Sequence, residues 1–356
     1  MKKVALIMAG GKGERFWPYS RRNLPKQFIS LTPDGQTLLQ HTVQRILPLI
    51  KMDDIYIATH IDYKDQVREQ LPKLPEENIL YEPASRNTAP CIGLAAMHIT
   101  KKYEDAVMFV LPADHLIKFV PIFLDTLSGA YEIALKNTNL VTIGITPDYP
   151  ETGYGYVKFI SDKPEGRAFA VDRFVEKPNL ETAKQYLKST EYLWNSGMFI
   201  WKVSSILANF KELMPEMYEG LMRIKASIGT KEEASTLKRE FLEFKSESID
   251  YGVMEKASNI LILPSSFGWD DVGSWLAIER IHTTNEFGNV VKGNFLTIAT
   301  QNCTLHGNEK LIATVGLRDL VVVDTEDALL ICAKESVGEI KKVLENLRIC
   351  NRTEYL

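Results

Sequence analysis

Through the first 145 residues, short apolar runs alternate with stretches whose apolar side chains recur at helical spacing. Residues 4–8 form a continuous apolar run that ends on glycines, the pattern of a strand buried on both faces. Residues 37–47 instead set Leu38, Leu39, Val43, Ile46 and Leu47 on one helical stripe. Residues 55–59, 79–81, 107–111 and 140–145 read as further strands, and 62–71, 89–101 and 123–136 as helices. Strands interleaved with helices of this length build βαβ units, which predicts an α/β fold: a Rossmann-like mixed, mainly parallel sheet flanked by helices. Ligands of such sheets sit beyond the carboxyl ends of the strands, so the chemistry belongs in the loops that follow them.

After residue 150 the pattern loosens. Residues 154–160 and 168–175 read as strands joined by a Pro/Gly turn at 163–166, and charged helical segments run from 204 to about 245. Beyond Phe287, β-like pieces at 290–291, 295–299, 311–315, 320–323 and 329–332 are separated by Gly, Asn and Asp turns. One helix at 337–347 follows them. This predicts two domains, 1–287 and a small β-rich part, 288–356, in line with a prior of about 150 residues per domain for 356 residues. The 42 Lys+Arg against 46 Asp+Glu exclude a broad nucleic-acid footprint, which needs clustered excess cations. No run approaches the ~20 apolar residues of a membrane span, so no membrane role is expected. The four cysteines are too scattered for a zinc site or a disulfide framework, which points to a reducing cytoplasm.

Gly10-Gly11-Lys12-Gly13-Glu14-Arg15 follows the first strand directly, where a sheet offers backbone amides to an anion. It is not a dinucleotide fingerprint, because Phe16 replaces the third glycine, and no G-K-[ST] makes it a Walker A loop. Alone, such a loop serves packing as readily as anion binding. The sequence runs on through Phe16-Trp17-Pro18 to Pro25-Lys26-Gln27-Phe28, so Arg15 and Lys26 flank one short loop. Two cations beside free amides suit a polyphosphate and the charge that develops when it is cleaved. Asp114, in Pro112-Ala113-Asp114-His115, follows a strand where a carboxylate can hold Mg²⁺, although a lone Asp there is more often a helix cap; Asp271, in Trp269-Asp270-Asp271-Val272-Gly273, could share such an ion or cap a helix near Ser274.

The string from Gly10 through Pro25-Lys26-Gln27-Phe28 resembles the opening of sugar-nucleotide pyrophosphorylases, and its Gln-Phe ending the mannose-1-phosphate guanylyltransferase branch. Family-like strings continue in order to about residue 280. The resemblance implies a GT-A-like nucleotidyltransferase domain with a short left-handed β-helix-like domain after it. It also implies transfer of GMP from GTP to α-D-mannose 1-phosphate, giving GDP-mannose and pyrophosphate. Asp114 and Asp271 would bind Mg²⁺, Asp270 being the weaker candidate, and Arg15 and Lys26 would stabilise the leaving pyrophosphate. Gly10, Gly11 and Gly13 would cradle the phosphates. Glu82, Asn87 and Thr88, from Glu82-Pro83-Ala84-Ser85-Arg86-Asn87-Thr88-Ala89-Pro90, would form the base pocket, with Asn87 or Thr88 also a helix cap. A carboxylate at Glu82 suits guanine N1–H and N2–H₂.

On the sugar side the resemblance places Gly155 close to the hexose ring and gives Glu176 and Asn195 the sugar hydroxyls. Lys177 would hold the sugar phosphate, although adjacent Glu and Lys more often form a solvated pair. His115 is expected to be structural or a phosphate neighbour, and the string at 248–255 carries no assigned role. Another hexose-1-phosphate nucleotidyltransferase, forming ADP-, dTDP- or UDP-sugars, is the nearest alternative. A silent sugar-nucleotide-binding homologue is a further one, opposed by the presence of Lys26, Asp114, Lys177 and Asp271 together. The β-rich part is a natural place for a homodimer contact. Its roughly 70 residues are too few for the cupin-type isomerase domain of longer family members, which suggests a single activity.

Overall fold

The structure, a computed structural model, describes residues 1–11 and 13–356; Lys12 of the glycine loop lies outside the described residues. The chain packs as two compact units, neither of them one stretch of sequence. The first comprises Met1–Gly10, Thr42–Ala113 and Ile117–Trp269, and the second Gly11–His41, Asp114–Leu116 and Asp270–Leu356.

The first unit is built on nine strands. They are β1 (Lys2–Met8), β2 (Ile55–His60), β3 (Ile79–Glu82), β4 (Ala106–Pro112), β5 (Leu140–Ile145), β6 (Tyr156–Glu165), β7 (Ala168–Val175), β8 (Tyr192–Lys202) and β9 (Ile260–Ser265). Their spatial order is β3-β2-β1-β4-β8-β5-β9-β7-β6, and β8 also pairs with β6. β3, β2, β1 and β4 run parallel, as do β5 and β9, whereas β8 lies antiparallel between β4 and β5. The sheet is therefore mixed. Its parallel part is the stretch with the strongest strand–helix alternation, because each parallel pair needs a crossover helix.

The helix Thr88–Lys102 covers this part with Ala89, Ile92, Ala95, Ala96 and Ile99, all fully buried among Val4, Leu6, Met108 and Phe210. Each large side chain so buried contributes about 2 kcal/mol of transfer free energy. Beyond β8, three helices, Val203–Leu213, Pro215–Ser227 and Glu233–Glu243, occupy the span read as charged and helical.

Several local readings shift. β6 extends through Pro164 to Glu165, so the turn sits later, at Gly166 with φ 66°. Proline is tolerated there because β6 pairs with β8 only at Tyr156–Lys158, so its Pro164 end has β7 alone as a partner. The helix expected from 123 begins at Val120, with a proline in its first turn. The helix Leu180–Ser189 and strand β9 were not read from the sequence.

In the second unit β10 (Val290–Lys292), β11 (Phe295–Ile298), β12 (Thr304–His306), β13 (Ile312–Val315) and β14 (Leu320–Asp324) form two parallel stacks, β10-β12-β14 and β11-β13. β15 (Leu329–Ala333) closes the first stack in antiparallel pairing with β14. Of these, β12 was missed in the sequence because Thr304-Leu305-His306 is too short to show alternation. Successive rungs bury Cys303, Leu305 and Val322 between the stacks, the architecture of a β-helix. A second core joins this β-helix to the segment after the glycine loop: Phe16, Trp17, Ile29 and Leu31 pack with Val272, Trp275, Val321, Val323, Ile340 and Leu344.

Candidate active site

Gly13 and Lys26 set the geometry of the glycine loop. Gly13 has φ 60°, and a Cβ there would overlap the Lys26 backbone nitrogen, so only glycine fits. Ser20 Oγ donates to the Gly13 carbonyl at 2.7 Å, and buried Gln27 donates to the Gly11 carbonyl at 3.0 Å. Gln27, in the string Pro25-Lys26-Gln27-Phe28, thus holds the loop.

Lys26 is itself buried, and its Nζ donates to Asp114 Oδ2 at 2.7 Å and to the Asp271 carbonyl at 2.5 Å. One ammonium therefore ties together the two chain segments that carry the predicted metal carboxylates. Removal from water pushes the Asp114 carboxyl up, but Lys26 and then His115, 3.8 Å away, hold it below the usual carboxylate range. Among the described residues Asp114 caps no helix, the N-cap of the next one being Phe119; it is an ionised group facing a cleft. Ser274, not Asp271, is the N-cap of the turn Trp275–Ala277. Gly13, Arg15, Lys26, Asp114, His115, Asp271, Gly273 and Lys341 all line this cleft of about 330 Å³. Arg15 reaches the Gly273 carbonyl at 3.5 Å and makes no ion pair among the described residues. Asp270 points elsewhere: it is buried, accepts from Val272 N at 2.7 Å and is paired with Arg280.

In the first unit Glu82 ends β3 and is 5% exposed. Its Oε1 is buried and has no hydrogen-bond partner among the described residues, and Oε2 lies where a Cβ on Gly10 would touch it at 3.5 Å. Burial pushes its pKa up to about 7, against a hydrogen bond with Cys91 that pulls it down. A buried carboxylate with an idle oxygen needs a partner to repay its desolvation. Asn87 is the cap of the following helix, accepting from Thr88 N at 2.8 Å, and Thr88 Oγ1 accepts from Ile249 N at 2.8 Å. With Arg86, which reaches the Phe241 and Leu242 carbonyls, they fasten the segment that leads to Asp250.

That segment meets the residues expected on the sugar side. Asn195 on β8 donates from Nδ2 to Asp250 Oδ1 at 2.8 Å, and its own N–H donates to the Gly155 carbonyl at 2.9 Å. Burial raises the Asp250 pKa, Glu176 raises it further, and the Asn195 hydrogen bond opposes both. The Tyr251 hydroxyl hydrogen-bonds Glu176, and Glu255 is raised by burial and by its acidic neighbours. A Cβ on Gly155 would meet the Val175 carbonyl only at 3.7 Å, so protein packing does not demand this glycine. Tyr149, Tyr154, Trp194 and Trp269 form an edge-to-face aromatic group beside it. Lys177 is exposed and 3.9 Å from Glu176. Asp250 and Tyr251 lie in the string that had no assigned chemistry; its tie to Asn195 is long-range and has no periodic signal.

Residues 4–286 match the nucleotidyl transferase family, and residues 293–347 a mannose-phosphate isomerase/GMP-like β-helix domain. The chain belongs to the nucleotidyl transferase family. It is 41% identical over 360 residues to the mannose-1-phosphate guanylyltransferase of Salmonella montevideo, spanning 99% of this chain and 75% of that one. A protein of Escherichia coli O157:H7, mannose-1-phosphate guanylyltransferase 2, is 39% identical over the same shares. Among solved structures, one described as mannose-1-phosphate geranyltransferase from Thermus thermophilus superposes with a TM-score of 0.88 at 32% identity. It covers 98% of this chain and 100% of its own. A nucleoside triphosphate and a sugar phosphate are the substrate types that fit this family. Among the described residues no helix is long and apolar enough to cross a membrane.

Proposed function

We propose that this chain is a mannose-1-phosphate guanylyltransferase. An oxygen of the mannose 1-phosphate monoester attacks the α-phosphorus of GTP in line. The new P–O bond yields GDP-mannose, and the bond to the β-phosphate oxygen breaks to release pyrophosphate. The nucleophile is already ionised near neutral pH, so no general base is required, and catalysis rests on positioning and charge stabilisation.

The observation that carries this reading is the cleft in which buried Lys26 joins Asp114 to the Asp271 segment, with Arg15 at its edge. Nucleotidyl transferases generally use a divalent metal, and the residues fit one. Asp114 is held ionised and Asp271 lines the same cleft, a hard oxygen donor set of the size Mg²⁺ uses with water and phosphate oxygens. When bound, Mg²⁺ supplies charge neutralisation on the phosphate oxygens.

Arg15 and Lys26 stabilise the departing pyrophosphate, and the loop amides at Gly10, Gly11 and Gly13 hold the phosphates. Glu82 accepts from guanine N1–H and N2–H₂, while Asn87 and Thr88 frame the base. Lys177 holds the sugar phosphate, and Glu176, Asn195 and Gly155 receive the hexose. We assign residues 1–287 to the nucleotidyltransferase domain and 288–356 to the β-helix domain. Exposed Leu296, Ile298 and Val315 on the neighbouring strands β11 and β13 support a homodimer contact there. Four free thiols suit the cytoplasm.

The test presents purified protein and Mg²⁺ with each nucleoside triphosphate against mannose and glucose 1-phosphates, following pyrophosphate release. GTP with mannose 1-phosphate is expected to turn over fastest. Preference for ATP, dTTP or UTP would redirect the reading to another sugar-nucleotide synthesis, and no release with any pair would end it.

A further inference from the structure

We infer that Lys341, on the C-terminal helix Ile340–Ile349, is a third cation for the polyphosphate and contacts the pyrophosphate portion of the nucleotide. The inference deepens the proposed function and rests on it. Lys341 lines the same cleft as Gly13, Arg15, Lys26, Asp114 and Asp271. Its helix is fixed there by packing: Ile340 and Leu344 are buried in the core that holds Phe16, Trp17, Val272 and Trp275. An ion pair of 2.7 Å between Arg348 and Glu14 joins the far end of the same helix to the loop. The β-helix part of the chain thereby presents a side chain to the phosphate cleft.

Charge bookkeeping in the cleft singles out this lysine. Glu14 is neutralised by Arg348, and Asp114 by Lys26. Lys342, next in sequence, is paired with Glu339. Lys341 is exposed, and its ammonium makes no hydrogen bond or ion pair among the described residues. An unpaired ammonium at the rim of a cleft lined by a glycine loop and an arginine without an ion pair among the described residues is complementary to an anion of high charge. Lys26, Asp114 and Asp271 surround the deeper part, where the reacting α-phosphate belongs, so a long flexible side chain at the rim serves the β- and γ-phosphates.

The test compares Lys341→Ala, Lys341→Arg and Lys342→Ala in both directions of the reaction. Lys341→Ala is expected to raise KM for GTP, and for pyrophosphate in the reverse direction, by roughly tenfold, the worth of one charge-assisted hydrogen bond. Its KM for mannose 1-phosphate and for GDP-mannose should stay within about twofold, its kcat should change little, and the effect should shrink as salt is raised. Lys341→Arg should restore most of the affinity, and Lys342→Ala should resemble the parent protein. An unchanged KM for pyrophosphate, or an equal rise for GDP-mannose, would overturn the assignment. Calorimetric titration with inorganic pyrophosphate and Mg²⁺ separates this inference from the reading beneath it. If the parent protein transfers no nucleotide yet binds pyrophosphate about tenfold more tightly than Lys341→Ala, the anion site stands and the reaction assignment falls.

Discussion

Around the Lys26 cleft, three cations, Arg15, Lys26 and Lys341, stand with three carboxylates, Glu14, Asp114 and Asp271, of which Glu14 is already paired with Arg348. Around Asn195 the balance is reversed: Asp250, Glu176 and Glu255 gather with an amide, a tyrosine hydroxyl and a wall of aromatic rings. Phosphate oxygens only accept hydrogen bonds, so a site for them must donate. Sugar hydroxyls also donate, so a site for them needs carboxylate and amide oxygens. On the proposed function the two clusters would divide the substrates by hydrogen-bond polarity, and each should fail toward its own substrate when altered.

The largest effect belongs to the cation–carboxylate centre. Lys26→Ala leaves Asp114 ionised without its partner, and Asp271→Ala removes one of the two carboxylates. Each should lower kcat/KM at least ~100-fold, the scale of removing a preorganised charge from a transition state. Circular dichroism should show both variants folded. Near-normal turnover by either folded variant would remove that residue from the chemistry.

Asp250→Asn tests the other side. Asn195 loses its charged acceptor, and the KM for mannose 1-phosphate should rise more than about tenfold, the cost of a lost charge-assisted hydrogen bond. KM for GTP should not move. A rise in the GTP term instead would show that the polarity argument misassigns this cluster.

Glu82 links the comparison to pH. With a pKa pushed up to about 7, its carboxyl is protonated as pH falls from 8 to 6 and loses the pair of acceptor oxygens that guanine requires. KM for GTP should rise by roughly tenfold across that interval, following the ionised fraction, and Glu82→Gln should flatten the profile. The stability sign is opposite to that of a paired carboxylate. A pKa raised in the folded state favours the protonated native form, a gain present below the unfolded value and lost as pH rises through about 7. Glu82→Gln should therefore raise Tm more at pH 8 than at pH 5. A GTP KM independent of pH would remove Glu82 from base recognition.

The phosphate side was the more legible because its parts are local. Gly13, Arg15 and Lys26 fall in one short stretch, and Asp114 follows β4 directly. Asp271 needed the family resemblance, since its tie to Lys26 crosses 245 positions. The sheet alternation was legible up to β5, where each strand is a dense apolar run between helices. It failed at the helix Leu180–Ser189, a ten-residue element of which only Ala183 is buried, and at β12, which is three residues long. Asp250 escaped because the Asn195–Asp250 bond joins β8 to a segment 55 positions away, and neither neighbourhood signals the other. Lys341 escaped for a related reason: on a helix, an exposed lysine reads as a solvated face until the cleft beside it is seen.

The smallest expected effect concerns the adjacent pair Asp270 and Asp271, which sequence spacing alone cannot separate. Asp270 has its oxygens committed to Val272 N and the Arg280 guanidinium, so its contribution is to hold the turn that presents Asp271. Asp270→Asn preserves shape and one acceptor while removing the charge, a loss of about 1 kcal/mol for a half-exposed pair. That should lower Tm by about 2 °C in a chain of this size. The dependence of turnover on Mg²⁺ concentration should remain that of the parent protein. Asp271→Asn should do the reverse, moving the Mg²⁺ requirement with little change in Tm. A shifted Mg²⁺ requirement in Asp270→Asn would mean that both carboxylates serve the metal, and that the Arg280 pair yields when substrate is bound.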